Sequence, residues 1–201
     1  MCGISARVGV GGSLQPLLTS LKNLEYRGYD SAGVAIRGDG GIGITKRSGE
    51  VSQLESAVNG GVRDGSIGIG HTRWSTHGPP TDANAHPHTD CHGRVAVVHN
   101  GIIENYAELR EGLRSRGHEF ASDTDTEVIP HLIEERMEDG HDAESAFRDA
   151  LGEIEGSYAI AMMVENEPAV YGARSGSPLV VGVGDEANFL ASDVPAFLDF
   201  T

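Results

Sequence analysis

The chain has 201 residues, of which 38% are hydrophobic and 5% aromatic, and its formal net charge is −15 at pH 7. This length suits one domain that buries a substantial core. The acidic charge argues against a sequence-independent nucleic-acid binder, because such proteins use Lys and Arg to neutralise phosphates.

The cysteine and lysine contents indicate compartment and habitat. Cys2 and Cys91 are too few for a disulfide framework, and the first residues lack the basic and apolar regions of a signal peptide. No apolar run approaches the roughly 20 residues that span a bilayer. We therefore expect a cytoplasmic protein with reduced thiols and no membrane association. The lysines are Lys22 and Lys46 alone, and an acidic, lysine-poor surface is typical of halophilic proteins.

Hydrophobic periodicity predicts elements along the whole chain. Ile4, Ala6 and Val8 alternate with small or polar residues, which predicts a strand that begins beside Cys2. Next come a helix over 14–24, a hairpin of 32–36 and 41–46, a helix over 51–58, a strand over 67–74 and a polar loop over 75–93. A buried strand over 95–99 is then expected to end at a turn on Asn100-Gly101. Helices follow over 106–116, 127–138 and 143–154, and strands over 158–164, 169–173, 178–183 and 188–191.

This order predicts the fold class. Strands come first, helices follow in the middle and strands return, without βαβ alternation, which favours an α+β fold with antiparallel sheets and helices packed outside them. No internal repeat or linker divides the chain, so we expect one domain over 1–201. The pattern after Asp193 predicts the start of a new element, so we expect the natural polypeptide to continue past Thr201.

Cys2 is the first candidate for chemistry. If Met1 is removed, Cys2 carries both a thiol and a free α-amine, and an α-amine titrates at about 8. It can therefore take a proton from the thiol near neutral pH, so that one residue supplies nucleophile and base. These residues alone do not distinguish a catalytic Cys2 from a cysteine that lies by chance at a frayed terminus.

Several blocks together carry a specific resemblance. They are Cys2-Gly3-Ile4, Arg27-Gly28-Tyr29-Asp30-Ser31-Ala32-Gly33, His71-Thr72-Arg73-Trp74-Ser75-Thr76-His77-Gly78, His86-Pro87-His88, His99-Asn100-Gly101 and Thr124-Asp125-Thr126-Glu127. In this order and spacing they resemble the glutaminase domains of the glucosamine-6-phosphate synthase family. The resemblance implies an N-terminal-nucleophile hydrolase, a four-layer αββα sandwich and a glutamine amidotransferase type-2 activity.

The resemblance also implies a mechanism. Cys2 would attack the side-chain amide of L-glutamine and form a γ-glutamyl thioester, which water then cleaves. The Asn100 side-chain amide and the Gly101 backbone N–H would form the oxyanion hole. The released ammonia would convert fructose 6-phosphate to glucosamine 6-phosphate in the full-length enzyme, so the implied partners are sugar-isomerase domains, on the same polypeptide or a separate subunit, in a homodimer.

The remaining site residues are carried over in the same way. Arg73 and Thr76 would hold the substrate α-carboxylate, since a guanidinium meets a carboxylate with two parallel hydrogen bonds. Asp125 would hold the α-ammonium, and Trp74 and His77 belong to the loop that folds over glutamine in the family.

Structural alternatives exist for several of these residues when each is taken alone. Asn100-Gly101 is a common turn pair, Arg73 suits a surface ion pair, and Asp125 lies in a capping-box pattern at the start of a predicted helix. Arg27 is a supporting residue that either braces the N-terminal loop or acts near Cys2.

The sequence leaves two alternative functions and one alternative site to consider. The amidotransferase that begins purine synthesis, with phosphoribosyl pyrophosphate as acceptor, shares the Cys-Gly-Ile start, and a glutamine-binding regulatory module would lack turnover. His86, His88, Cys91 and His92 could suggest zinc, but their spacing fits none of the structural zinc patterns. We therefore expect no metal and no cofactor.

Overall fold

The computed structural model of the chain describes residues 2–58, 64–75 and 78–201. Helices span Leu14–Asn23 (α1), Val51–Val58 (α2), Tyr106–Ser115 (α3), Val128–Glu138 (α4) and Ala143–Glu153 (α5). Strands span Gly3–Gly9 (β1), Ser31–Gly38 (β2), Gly41–Ser48 (β3), Ile67–Arg73 (β4), His88–Thr89 (β5), Val95–Ile103 (β6), Gly156–Val164 (β7), Val170–Ser175 (β8), Val180–Val183 (β9) and Ala187–Ala191 (β10). Short 3₁₀ helices cover Glu25–Arg27 and Val194–Ala196.

The described strands form two sheets in which neighbouring strands pair antiparallel. The larger sheet has the order β3-β2-β4-β1-β10-β9, and the smaller has the order β5-β6-β7-β8. β1 therefore lies inside the larger sheet, with Gly3 opposite Thr72 of β4 and Ser5 opposite Ala191 of β10. Because ladder hydrogen bonds hold β1 on both sides, the strand that follows Cys2 is rigidly placed.

Alternation along the strands separates the apolar layers. In β6, Val95 and Val97 pack with α4 and α5, whereas Ala96 and Val98 face the larger sheet. On the other side, α1 and α2 pack against buried apolar residues of β2. The layers therefore run helix, sheet, sheet, helix, which confirms the predicted α+β fold with αββα layering.

The expected turn at Asn100-Gly101 is wrong, because β6 continues through both residues to Ile103. Asn100 pairs with Ala159 and Gly101 with Tyr158 of β7. Gly101 has a φ of +132°, and a Cβ built there would lie 1.9 Å from the Ser157 carbonyl oxygen. Glycine is thus required here because the backbone has a positive φ and lies close to the Ser157 carbonyl of β7, not because the chain reverses direction.

Smaller differences concern loops and ends. The predicted loop over 75–93 contains the two-residue strand β5, and the element expected after Asp193 is one of the short 3₁₀ helices. Within the described ranges, every helix is too short or too polar to cross a bilayer.

A substitution at Gly33 tests how closely β2 packs against the segment that contains His86. A Cβ on Gly33 would lie 2.2 Å from the His86 carbonyl oxygen, whereas a Cβ on Gly40 would have no neighbour within 4 Å. We expect Gly33→Ala to lower the free energy of unfolding by about 1–3 kcal/mol, as overpacking of a tight site does. Gly40→Ala is the matched control, and urea unfolding of both variants is the measurement. Equal stabilities would contradict the close approach of β2 to residue 86.

Candidate active site

The Cys2 thiol faces the end of β4. The Trp74 backbone N–H donates to Cys2 Sγ at 3.2 Å, and the Trp74 carbonyl oxygen lies 3.5 Å from the same sulfur. Burial raises the pKa of the Cys2 thiol, although the hydrogen bond to Trp74 and the charge of Arg73 act in the opposite direction. The thiol is therefore mostly protonated near neutral pH, and a thiolate nucleophile requires a base close by.

A cavity of about 320 Å³ opens beside Cys2. Its described lining consists of Cys2, Arg27, Trp74, Asn100, Gly101, Ile102, Ser157, Ser177 and Pro178. This volume lies at the lower end of the range for small-ligand sites. The cavity therefore brings the predicted nucleophile and both predicted oxyanion-hole residues together at one surface.

Asn100 is oriented by hydrogen bonds on both ends of its side-chain amide. Its Nδ2 donates to the Cys2 carbonyl oxygen at 2.9 Å, and its Oδ1 lies 2.9 Å from His71 Nε2. His71 Nε2 is also 3.1 Å from the His99 carbonyl oxygen. Since both partners are acceptors, His71 must carry its proton on Nε2. That tautomer directs the Asn100 NH₂ group toward Cys2.

His71 belongs to a group of buried histidines that the sequence analysis did not propose as site residues. Its ring stacks on His86 at 4.1 Å, and His88 lies edge-on to His86 at 4.7 Å. Burial lowers the pKa of His71 to about 3 and the pKa values of His86 and His88 well below 6.5. All three are therefore neutral near pH 7. The signal that could have found His71 is its position at the start of the Thr72-Arg73-Trp74 block.

Arg27 contacts the main chain of Cys2. Its Nε donates to the Cys2 carbonyl oxygen at 3.2 Å, and its Nη1 lies 2.7 Å from Asp193 Oδ2. The Tyr26 hydroxyl donates to the same carboxylate oxygen at 2.6 Å. These contacts favour the bracing interpretation, and they add Tyr26 and Asp193 as partners that sequence reasoning missed.

Arg73 and Asp125 are buried, and neither belongs to the described lining of the cavity. Burial lowers the pKa of Arg73, while the charges of Cys2, Asp125 and Asp30 counteract it. The Arg73 guanidinium also donates to the Pro79 carbonyl oxygen at 3.3 Å. Arg73 therefore places a positive charge close both to Cys2 and to the Asp125 carboxylate.

The capping-box interpretation of Asp125 is wrong. The start of α4 has no side-chain cap, and Asp125 Oδ2 accepts from the Ile103 backbone N–H at 2.8 Å. Glu127 instead accepts from the backbone N–H groups of Ala121 and Ser122, upstream of the helix. Asp125 is thus tied to the end of β6, next to the cavity-lining residue Ile102.

The loop residues Thr76 and His77, and Met1, lie outside the described residues. Trp74 is 46% exposed and meets Tyr29 edge-to-face at 5.5 Å. Ser75 donates its backbone N–H to Asp30 Oδ2 at 2.8 Å. The loop after β4 is therefore fixed at its first two residues.

The histidines and cysteine considered for zinc fall into two separate places. His86 and His88 belong to the buried histidine group beneath Asn100, whereas Cys91 faces His118 and His131. His92 is exposed and lies on the Cys91 side, with its Nε2 3.7 Å from Glu134 Oε1.

Comparison with known proteins gives the family. The family described as "Glutamine amidotransferase domain" matches residues 71–199. The chain belongs to the glutamine amidotransferase domain family. Among curated relatives, the glutamine–fructose-6-phosphate aminotransferase (isomerizing) of Thermus thermophilus is 53% identical over 201 residues, which cover all of this chain and 33% of the relative. The enzyme of the same name from Methanothermobacter thermautotrophicus is 54% identical over 203 residues and 34% of its length.

Solved structures support the amidotransferase fold. The glutamine phosphoribosylpyrophosphate amidotransferase from B. subtilis superposes with a TM-score of 0.82 at 28% identity, over 98% of this chain and 43% of that chain. With the layering described above, this likeness confirms the expected N-terminal-nucleophile hydrolase fold. This amidotransferase chain spans about a third of the length of the curated relatives it matches.

The neutral histidines predict a dependence of stability on pH. In the unfolded chain His71, His86 and His88 titrate near 6.5. As pH falls below that value, the unfolded state binds protons at these histidines, whereas the folded state does not because its pKa values are lower. Stability should be full above about pH 6.5 and decline by about 1.4 kcal/mol per pH unit for each such histidine. Urea unfolding between about pH 7.5 and about pH 5.5 measures the slope. His86→Gln should make it shallower, whereas the exposed His141→Gln should not.

A stability that is flat over this range, or an equal slope in His86→Gln, would contradict the burial of neutral histidines beneath Asn100.

Proposed function

We propose that this chain hydrolyses L-glutamine to glutamate and ammonia through a thioester on Cys2. The observation that carries the proposal is the convergence of the Cys2 thiol, the Asn100 side-chain amide and Gly101 on one cavity. A thiol nucleophile and donors for a developing oxyanion are the two requirements of amide cleavage by acyl transfer. Family membership and the close relatives support the same reaction.

The chemistry follows from the positions of these groups. After removal of Met1, the Cys2 α-amine takes the thiol proton, and Sγ attacks the glutamine side-chain carbonyl carbon. The protonated amine then gives that proton to the departing nitrogen, so ammonia leaves and a thioester remains. Water, activated by the same amine, cleaves the thioester and returns the thiol. The raised pKa of Cys2 is the reason that this base is needed.

Asn100 suits the oxyanion role because a carboxamide has two N–H donors. One N–H of Asn100 donates to the Cys2 carbonyl oxygen, and Oδ1 accepts from His71. These two hydrogen bonds fix the plane of the amide and therefore also the direction of its second N–H. We assign the other donor to the Gly101 backbone N–H. In this account His71 is a positioning residue that acts through Asn100.

The substrate's charged end requires a clamp. We assign its α-carboxylate to Arg73 and Thr76, its α-ammonium to Asp125, and closure over the substrate to Trp74 and His77. Two observations on described residues support this assignment. Arg73 and Asp125 are buried, and the charges of Cys2 and Asp125 raise the pKa of Arg73 against the effect of burial. Arg27 supports the site by holding the Cys2 main chain.

The proposed acceptor is fructose 6-phosphate, which the longer enzyme would convert to glucosamine 6-phosphate. Curated relatives about half identical to this chain are aminotransferases whose names include fructose 6-phosphate, whereas the phosphoribosylpyrophosphate amidotransferase is 28% identical. This difference favours the sugar acceptor over phosphoribosyl pyrophosphate. We further propose sugar-isomerase domains as the partner, a homodimeric enzyme and a cytoplasmic location.

Replacing the nucleophile tests the central assignment. Cys2→Ala should abolish ammonia release from glutamine while glutamine still binds, because the clamp lies on other residues. A glutamine-like electrophile should label Cys2 and spare Cys91 in the wild-type chain. Steady-state ammonia assay, calorimetry and peptide mapping are the measurements. Turnover in Cys2→Ala would refute the mechanism, and binding without turnover in the processed wild type would favour a regulatory module.

Two substitutions should separate the oxyanion hole from the clamp. Asn100→Ala should lower kcat by about 10²- to 10³-fold with little change in KM, because the oxyanion exists only during the reaction. Arg73→Lys should instead raise KM for glutamine, since an ammonium cannot make the bidentate contact. Initial-rate kinetics decide both, and an Asn100 effect confined to KM would assign that residue to binding.

The acidic surface supports a proposal about habitat. With a net charge of −15, repulsion among acidic groups should destabilise the fold at low ionic strength, and salt should screen it. We therefore propose a halophilic protein and expect its melting temperature to rise from low to molar salt. A flat or falling melting temperature would remove this proposal without affecting the enzymatic one.

A further inference from the structure

A second cluster of reactive side chains lies beneath the turn between β5 and β6. It consists of Cys91 in that turn, His118 after α3, and His131 and Glu134 on α4. The last two are three residues apart, so they project from one side of the helix. One donor atom from each residue lies within 4.8 Å of all the others. None of the four lines the cavity beside Cys2, so the cluster is separate from the proposed active site.

The donor atoms have the spacing of a tetrahedral metal site. Cys91 Sγ lies 3.7 Å from His118 Nδ1 and 3.6 Å from His131 Nδ1. The two Nδ1 atoms are 3.3 Å apart, and Glu134 Oε2 lies 2.9 Å from one and 3.2 Å from the other. Tetrahedral zinc with bonds of about 2.0–2.3 Å sets neighbouring donors roughly 3.3–3.6 Å apart. The measured separations lie close to these values.

The outer ring nitrogens of both histidines lie near carboxylates, at hydrogen-bond distance for His118 and beyond it for His131. His118 Nε2 lies 3.3 Å from Glu135 Oε1, and His131 Nε2 lies 4.0 Å from Glu127 Oε1. Metal-binding histidines commonly donate their second N–H to such a carboxylate, which leaves the other nitrogen as the ligand. With the proton of each ring on Nε2, both Nδ1 lone pairs would face the Glu134 carboxylate, and a cation between them would neutralise the resulting repulsion.

We propose that Cys91, His118, His131 and Glu134 bind one zinc ion. A thiolate and two imidazoles favour zinc over magnesium or calcium, which prefer all-oxygen sites. The thiolate and the carboxylate together balance the two positive charges of the metal. Four protein donors fill a tetrahedral shell, so the site is structural rather than catalytic. This inference revises the sequence-based expectation that the chain has no metal.

The position of the cluster indicates what the metal stabilises. His118 lies in the connection between α3 and α4, and the same connection carries Asp125. Zinc would join this connection to α4 and to the β5–β6 turn, where the Cys91 N–H donates to Glu134 Oε2 at 3.3 Å. The metal is therefore expected to contribute to folding stability near the proposed substrate clamp, without touching substrate.

The test is the metal content of the full chain, purified without chelators from zinc-supplemented cells. Elemental analysis should give about one zinc per chain for the wild type and less than about a tenth for Cys91→Ser and His131→Asn. The control is His141→Asn, which removes an exposed histidine paired with Asp149 and should keep its zinc. Glu135→Gln leaves all four ligands in place and should weaken zinc affinity by roughly 10- to 100-fold in a chelator competition.

A cobalt titration keeps the test independent of variant folding. Metal-free wild-type chain should bind one Co²⁺ with a thiolate-to-cobalt absorption band that Cys91→Ser lacks, and adding Zn²⁺ should abolish the band and raise the melting temperature. The proposal would be overturned if the wild-type chain is purified without bound zinc and also gives no such band with Co²⁺. Zinc that stays unchanged in Cys91→Ser and His131→Asn would also overturn it.

Discussion

The pairing of β1 between β4 and β10 is the constraint on which the site depends. A residue at the start of a chain ordinarily frays, but Gly3 is held opposite Thr72 and Ser5 opposite Ala191. The register places Cys2 beside Trp74, whose backbone contacts the sulfur. The sheet therefore supplies the rigid mounting that an N-terminal nucleophile needs, since a misplacement of about 1 Å can cost a hundredfold in rate.

Beneath this strand, a polar layer supports the amide that faces Cys2. His71 holds Asn100 Oδ1 and rests on His86, whose Nδ1 accepts the His99 backbone N–H at 3.3 Å. Such groups are costly to bury, but hydrogen bonds satisfy several of them and neutrality removes the penalty of a buried charge. The buried histidines therefore lower the stability of the fold in acid, and in return they fix the orientation of the Asn100 side chain.

Local sequence patterns predicted most of the elements because their apolar spacing agrees with the layers that they cover. The spacing of Leu14, Leu17 and Leu21 matches the helix α1, and the uninterrupted run of apolar residues around Val97 matches a strand buried on both faces. Predictions failed where a local signal had a nonlocal use. The Asn100-Gly101 pair forms part of a strand because β7 pairs with it.

The proposed zinc ligands could not be recognised from their spacing for the same reason. Cys91, His118 and His131 are separated by 27 and 13 residues, and they meet only because the β5–β6 turn, the α3–α4 connection and α4 pack together. His71 was similarly hidden, because its hydrogen bond to Asn100 joins different sheets. Cys2 and the blocks that accompany it could be proposed from the sequence because the family resemblance covers them in order along the chain.

The most direct test of the account is to trap the intermediate. Chain lacking Met1 is mixed with glutamine, quenched in acid during turnover, and analysed by intact-mass and peptide mass spectrometry. The account predicts a γ-glutamyl adduct on Cys2 that disappears when glutamine is exhausted. Ammonia release without any adduct, or an adduct on Cys91 instead, would contradict it.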